Sequence, residues 1–555
     1  MAVSAWGCVV ERDPPWLARS SGAMVATDSP EASLAGLEII RAGGRAIDAT
    51  VAVSLALAVT RPESTGLGGG GFLIYLPADR GEVTVLDFRE IAPAAVDREV
   101  YSRLRAADPK SHPPSRYGFA AAAVPGLVAG CDQALRRWGR LSFREVARPA
   151  IRLAREGFAA DEHYVEACRT ALEAFEKHPA LAETCAYVYR THVRAGRLPA
   201  AGGLVRQPAL ACLLERLVEE GPASFYVGGV AERIAHAVGE GGGFITAADL
   251  AGYSPKVREP IRCTYRGYQI LTMPPPSSGG ICLAEALNIL QATPFRDTYA
   301  AHPAEAMHFY VEALKHAFAD RARYLGDDDF AEVPRTRLTD PDYARALARR
   351  IDRSATGPRR DYGDTDLSPD GGTSHFCVVD AEGNCVVATE TINTEFGSLA
   401  AVGELGLILN NEMDDFTAEP GRPNAFGLLQ SERNAIQPGK RPLSSMCPTV
   451  VLRDGRPWLL LGASGGPRII TSVLGVLVNR IDLGLPLPEA VAAGRVHHQW
   501  VPDEIAVEPQ VPADWVVGLK ARGHRIADQP RTGVVQAVEI DGETLIGVSD
   551  PRKGG

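Results

Sequence analysis

No basic cluster interrupts this sequence. Lysine and arginine number 58 against 68 aspartates and glutamates, a formal net charge of −10, and no Lys/Arg run persists. Nucleic acid and anionic membrane surfaces are therefore poor partners. Ten cysteines stand singly, none in a C-x-x-C spacing, which argues against a zinc site or redox pair and for a reduced compartment. The N-terminal stretch MAVSAWGCVVERDPPW has no basic segment ahead of its apolar run, and that run stops at Glu11 and Arg12, so a secretory signal is not supported. The longest later apolar stretch, Ile47–Val59, is too short to span a bilayer and carries Asp48. The expectation is a soluble, cytoplasmic protein, with export left open if translation starts upstream. The glycine run Ser64–Gly71 (STGLGGGG) lacks a following Gly-Lys-Ser/Thr and leads into a strand, so tight backbone packing explains it better than a nucleotide. Internal repeats and low-complexity tracts are missing too.

What is present is ordinary in bulk: 555 residues, 45% hydrophobic and 23% charged. That length exceeds one usual compact core and predicts two domains or one large intertwined unit. Ser29-Pro30-Glu31 starts a helix that Gly43-Gly44 stops, and Ile47–Val59 reads as a buried helix. Phe72–Leu76 and Val83–Asp87 read as strands, the second ending at Arg89, which is either salt-bridged structure or an anion ligand. Residues 120–350 read as mainly helical, with a strand at Tyr265–Met273, a stiff turn at Pro274–Gly280 and a long amphipathic helix from Pro303 to Asp320.

One stretch organises the rest: Gly371–Gly397, centred on Thr373. Before it, Ser354–Gly372 is a polar, Gly/Pro/Asp/Ser-rich run that reads as an exposed loop. After it, Ser374–Asp380 and Cys385–Thr389 alternate as two strands around a turn. A loop that ends on a Thr opening a hairpin suits a self-cleaving enzyme. A cut before Thr373 leaves a hydroxyl and an α-amine, of pKa about 8, on one residue. An interdomain linker running into a strand has the same pattern. Downstream, Thr449–Arg453 and Trp458–Leu461 form a hairpin over Asp454-Gly455, as do Ala537–Ile540 and Thr544–Val548 over Asp541-Gly542. The first hairpin runs into Gly462–Gly466 with a helix starting near Ile469. Such a junction presents N–H groups to an oxyanion, or simply packs.

These pieces together carry a resemblance. Thr373-Ser374-His375, Asn393-Thr394, Phe396-Gly397, Asn410–Phe416 (NNEMDDF), Arg441–Met446 (RPLSSM) and Ser464–Gly466 resemble the γ-glutamyltransferases (γ-glutamyltranspeptidases). Ser64–Gly71, Asp87–Glu90, Pro274–Gly280, Phe318–Asp329 and His497–Trp500 extend the likeness in the same order over nearly the whole chain. The resemblance implies an α+β fold, the four-layer αββα sandwich of the N-terminal-nucleophile hydrolases, with large and small chains intertwined. It implies cleavage between Gly372 and Thr373, giving a heterodimer of 1–372 and 373–555.

It further implies that Thr373 is the nucleophile, that Thr391 hydrogen-bonds it, and that Gly465 and Gly466 form the oxyanion hole. Arg89, Ser444 and Ser445 then hold the substrate's α-carboxylate; Asn393, Glu412 and Asp415 hold its α-ammonium. The partners implied are a small γ-glutamyl donor and an amino-acid, peptide or water acceptor, with no metal or organic cofactor. A free amino-acid head does need a guanidinium with hydroxyls on one side and carboxylates on the other.

His375, His497 and His498 read as structural, since an N-terminal Thr needs no His base. The chain departs from the family's usual pattern at Ser374, at Glu395 and in the lid-length loop Pro420–Arg433, whose aromatic is Phe426. Two other readings stay open: a related acylase of glutaryl-cephalosporin or γ-glutamyl-metabolite type, and an unprocessed, inactive binding protein.

Overall fold

The computed structural model describes residues 13–79, 81–362, 373–418, 431–527 and 533–553. Gly372 and most of the Pro420–Arg433 loop, Phe426 included, lie outside the described residues.

Two antiparallel sheets draw strands from the whole length of the chain. In order, β1 spans Leu17–Ser20, β2 Met24–Ala26, β3 Gly70–Leu76, β4 Thr84–Phe88, β5 Lys256–Arg258, β6 Ile261–Tyr265, β7 Tyr268–Thr272, β8 Ser374–Val379, β9 Cys385–Thr391, β10 Thr449–Arg453, β11 Arg456–Ser464, β12 Val534–Asp541 and β13 Thr544–Ser549. One sheet has the order β2-β8-β9-β3-β4-β5 and the other β1-β13-β12-β11-β10-β7-β6. Both interleave strands from before and after Thr373. The strand expected at Tyr265–Met273 is β7, Tyr268–Thr272, while Tyr265 ends β6; the two pair as a hairpin turning at Arg266 (φ 50°) and Gly267 (φ 90°). Two consecutive left-handed residues make the tight hairpin turn, and Arg-Gly signals it more weakly than Asn-Gly does.

Period-two alternation assigns each face. On β8, Phe376 and Val378 join one apolar core while Cys377 and Val379 join another. On β9, Val386 and Ala388 face the first core, Cys385 and Val387 the second. The first core lies against helices α1 (Pro30–Arg41) and α2 (Ala46–Thr60). The second lies between the sheets and continues to helices α3 (Gly279–Ala292), α4 (Pro303–Tyr324) and α5 (Arg468–Ile481) behind the other sheet. Strands buried on both faces need apolar residues at every position, as SHFCVV and CVVATET nearly supply. The result is the expected helix–sheet–sheet–helix stack. α2 is buried along its whole length, as its unbroken apolar run predicts. Among the described residues no helix is long and apolar enough to cross a membrane.

The glycine run serves close packing. A Cβ on Gly68 would lie 2.0 Å from the Ile408 carbonyl oxygen, and one on Gly69 would lie 2.1 Å from that of Thr391. The backbone of residues 68–71 is thereby pressed against the strands that carry the site.

Candidate active site

Thr373 immediately precedes β8. Ser374 pairs with Glu390 in the antiparallel register, so Thr373 comes to rest across from Thr391, the last residue of β9. Their hydroxyl oxygens are 3.3 Å apart, and Thr391 Oγ1 also accepts the Asn393 N–H at 2.7 Å. Thr373 is buried. Its carbonyl accepts from Lys553 Nζ at 3.2 Å, and that ammonium is held by Asp28 Oδ2 at 2.6 Å.

Thr373 opens onto a cleft of about 300 Å³, part of it open to solvent. Arg89, Thr391, Asn393, Glu412, Asp415, Ser444, Ser445 and Gly466 line it, alongside Arg321, Met446 and Ile469. Residues more than 300 positions apart in sequence converge here because both sheets mix early and late strands. Every substrate-contacting residue expected from the sequence is on the cleft. Of the two glycines expected for the oxyanion, Gly466 lines it, while Gly465, the preceding residue, does not. They take φ of 55° and 120°, the left-handed turn that joins β11 to α5.

Asn393 is held at φ 80°, with its side-chain amide donating to the Asn411 carbonyl at 3.0 Å. Asn tolerates this region better than most residues, and strain of this kind gathers at functional sites. Glu412 and Asp415 sit on one short 3-10 turn, fixed by Asn410 Oδ1, which accepts the N–H groups of both Glu412 and Ala123 at 3.0 Å.

The charges are paired across the cleft. Arg89 Nη2 lies 2.6 Å from Asp415 Oδ2 and 2.7 Å from Glu412 Oε2, and Nη1 lies 3.6 Å from Glu90 Oε2. Burial alone would depress the Arg89 guanidinium; Glu412, Glu90 and Asp415 outweigh it and keep the group firmly charged. Burial drives the Glu90 carboxyl up to about 7 and that of Glu412 upward, with Arg89 opposing in each case. Asp415 is raised for the same reason. A site that holds opposite charges in register suits a zwitterion, whose ammonium and carboxylate take the places each partner fills for the other.

Arg321 is the cleft residue the sequence reading left without a role. Its signal was available: on α4 it falls three residues after Phe318 and seven after Leu314, on the apolar stripe, where a charged residue is out of place. Lys553 was missed also, for it acts at long range from the end of the chain.

The three histidines fit structural roles. His375 contacts Thr389 Oγ1 at 2.8 Å through Nδ1, and burial pushes it down to about 3. His497 is likewise driven to about 3 and bonds Thr471 and Gln499. His498 accepts the Trp500 N–H at 2.9 Å and faces Asp503. None lines the cleft, and neither does Glu395. Ser374 donates to Asp28 at 3.2 Å.

Among the described residues, two clusters elsewhere bring metal-type donors together: His308, Glu312 and His524, and Asp327–Asp329. In the first, Glu312 already accepts from Thr356, Lys315 and Tyr362, and the two imidazoles bond each other at 2.8 Å. In the second, Arg258, Arg335 and Lys256 neutralise the acids.

Comparison with known proteins agrees with this geometry. The family model described as Gamma-glutamyltranspeptidase matches residues 32–555. The chain is 42% identical over 551 residues to the glutathione hydrolase proenzyme of Escherichia coli K12, covering 98% of this chain and 92% of that protein. It is 41% identical over 541 residues to the protein of that name from Pseudomonas aeruginosa, covering 96% and 94%. Among solved structures, a cephalosporin acylase from Bacillus halodurans superposes with a TM-score of 0.84 at 28% identity, over 98% of this chain and 97% of that one. The Helicobacter pylori γ-glutamyltranspeptidase gives 0.54 at 37% identity, over 60% of this chain and 92% of that one. With the family model matched almost end to end and relatives this similar over nearly their whole length, the chain belongs to the γ-glutamyltranspeptidase family.

Proposed function

We propose that this chain cleaves the γ-glutamyl amide of glutathione and related donors through an ester on Thr373, passing the γ-glutamyl group to water or to an amino acid or peptide. The observation that carries the reading is the cleft itself. A hydroxyl at the start of a strand shares one small space with a guanidinium, two carboxylates, a serine pair and a glycine turn.

Maturation begins with a cut between Gly372 and Thr373, which frees the Thr373 α-amine. That amine takes the proton of Thr373 Oγ as the oxygen attacks the γ-carbonyl. Charge on the carbonyl oxygen is received by the N–H groups of Gly465 and Gly466; losing one such donor costs about 3–4 kcal/mol of barrier. The ammonium returns its proton to the departing amine, and the acyl ester remains. Water or an acceptor amine then attacks, with the same α-amine as base. Arg89, Ser444 and Ser445 hold the α-carboxylate; Glu412, Asp415 and Asn393 hold the α-ammonium. Thr391 keeps the nucleophile's hydroxyl aimed.

Purified protein should run as two bands on a denaturing gel and release nitroaniline from γ-glutamyl-p-nitroanilide. The likeness to a cephalosporin acylase favours a second reading, hydrolysis of acyl amides that lack the amino group. Glu412 and Asp415 oppose it, because a glutaryl head leaves both acids without a cation of the substrate's. Turnover of glutaryl-p-nitroanilide with none of the γ-glutamyl compound would establish the acylase instead. A persistent 59.2 kDa band would establish an unprocessed protein.

A further inference from the structure

We infer that Arg321 is a second guanidinium for the donor's α-carboxylate, meeting it through Nη1 beside Ser445. This deepens the γ-glutamyl reading above and rests on it.

The two arginines on the cleft differ in how they are engaged. Arg89 has every guanidinium nitrogen committed: Nε to the Pro442 carbonyl at 3.3 Å, Nη2 to Asp415 and Glu412, Nη1 towards Glu90. Arg321 is as deeply buried and also lines the cleft, yet no carboxylate of the described residues pairs with it. Its Nε donates to Ser278 Oγ at 2.9 Å. Its Nη2 reaches Ser445 Oγ at 3.4 Å, a long and easily yielded bond. Its Nη1 is buried with no hydrogen-bond partner among the described residues.

A buried cation with an idle donor is costly unless something pairs with it. Ser278 fixes the plane of the guanidinium by accepting from Arg321 and donating to the Ser444 carbonyl at 2.7 Å, so the same contact ties Arg321 to the serine pair. Two adjacent N–H groups held in a plane beside hydroxyls are the form that binds a carboxylate in bidentate fashion. Ion pairing points the same way. Glu412 and Asp415 both lie against Arg89, whereas Arg321 feels Asp415 only at longer range and has no carboxylate at salt-bridge distance among the described residues. When a zwitterionic head enters, its ammonium faces Glu412 and Asp415. Its carboxylate then bridges the Arg89 side, the serines and Arg321.

The test compares γ-glutamyl-p-nitroanilide with 4-aminobutyryl-p-nitroanilide, the same donor without the α-carboxylate. Arg321→Met should raise KM for the first about ten- to a hundredfold and leave the second unchanged, with Arg321→Lys in between. Calorimetric binding of L-glutamate and of 4-aminobutyrate gives a readout independent of turnover, and only glutamate should weaken. Equal losses on both donors, or none on either, overturn the assignment. Should Arg321→Met stay as one uncut band, Arg321→Lys carries the comparison. If the wild type turns over neither donor, the proposed function falls, and glutamate binding alone decides the role of Arg321: binding by the wild type that Arg321→Met or Arg321→Lys reduces supports it, and absence of binding or equal binding overturns it.

Discussion

Lys553 reaches from the last described residues to the carbonyl of Thr373 and is buried against Asp28. Breaking one partner of a buried ion pair leaves the other charged in a poor solvent, at a cost of about 3–5 kcal/mol. Lys553→Met should therefore lower the unfolding free energy by that order in denaturant titration and slow the appearance of two bands. Thr373→Ala should leave a single 59.2 kDa band at all times; two chains appearing in that variant would assign the cut to an outside protease. At this scale the sequence was readable where chemistry has a local shape. A Thr between loop and strand and a Gly-rich strand-to-helix turn were visible as candidates, each with a plain structural reading beside it, and the paired acids were singled out by the family likeness. Lys553 left no such mark, and Arg321 showed only as a charge out of place on an apolar stripe. Their roles come from what they meet across the fold, and neither position advertises that partner in its own neighbourhood.

β9 carries Thr391 at its end and Glu390 beneath it. Glu390 accepts from Ser54 Oγ at 2.5 Å, and burial drives its carboxyl up to about 8 from an ordinary 4.5. A carboxyl raised in the fold stabilises the fold while it is protonated. That contribution is complete below pH 4.5 and lost as pH climbs through about 8. Glu63 and Glu90, each raised to about 7, act with the same sign. The Thr373→Ala precursor should accordingly have a lower Tm at pH 9 than at pH 5, and adding Glu390→Gln should flatten the difference; a steeper slope would contradict this. The glycine run presses on the same strand. Gly69→Ala, which forces a Cβ onto the Thr391 carbonyl, should cost about 1–3 kcal/mol and reduce kcat, as denaturant melts and the nitroaniline assay would report. Alternation in Ser374–Asp380 and the Asp-Gly turns at 454–455 and 541–542 made these strands legible. Of the 261–272 hairpin only the second strand was read, because its Arg-Gly turn lacks the Asn or Asp that marks such turns most clearly.

Both sheets weave strands from the two sides of residue 373. In one, β8 and β9 lie between β2 and β3; in the other, β13 lies between β1 and β12, and β10 beside β7. Sequence order alone could not reveal this pairing, which joins strands hundreds of residues apart, and only the family likeness anticipated it. A cut before Thr373 would leave every ladder bond in place, so the two products should elute together near 59.2 kDa and resist dilution. Unfolding is where the cut would be felt. The intact chain refolds by a first-order process, since its halves cannot diffuse apart. Two severed halves must meet again at their own concentration, and each alone exposes unpaired strand edges. The interwoven sheets thus make cleavage a one-way step for folding. The uncut form should regain its structure from denaturant at any dilution, whereas recovery of the cut form should fall with protein concentration and end in aggregate, leaving the mature protein's lifetime set by its unfolding rate.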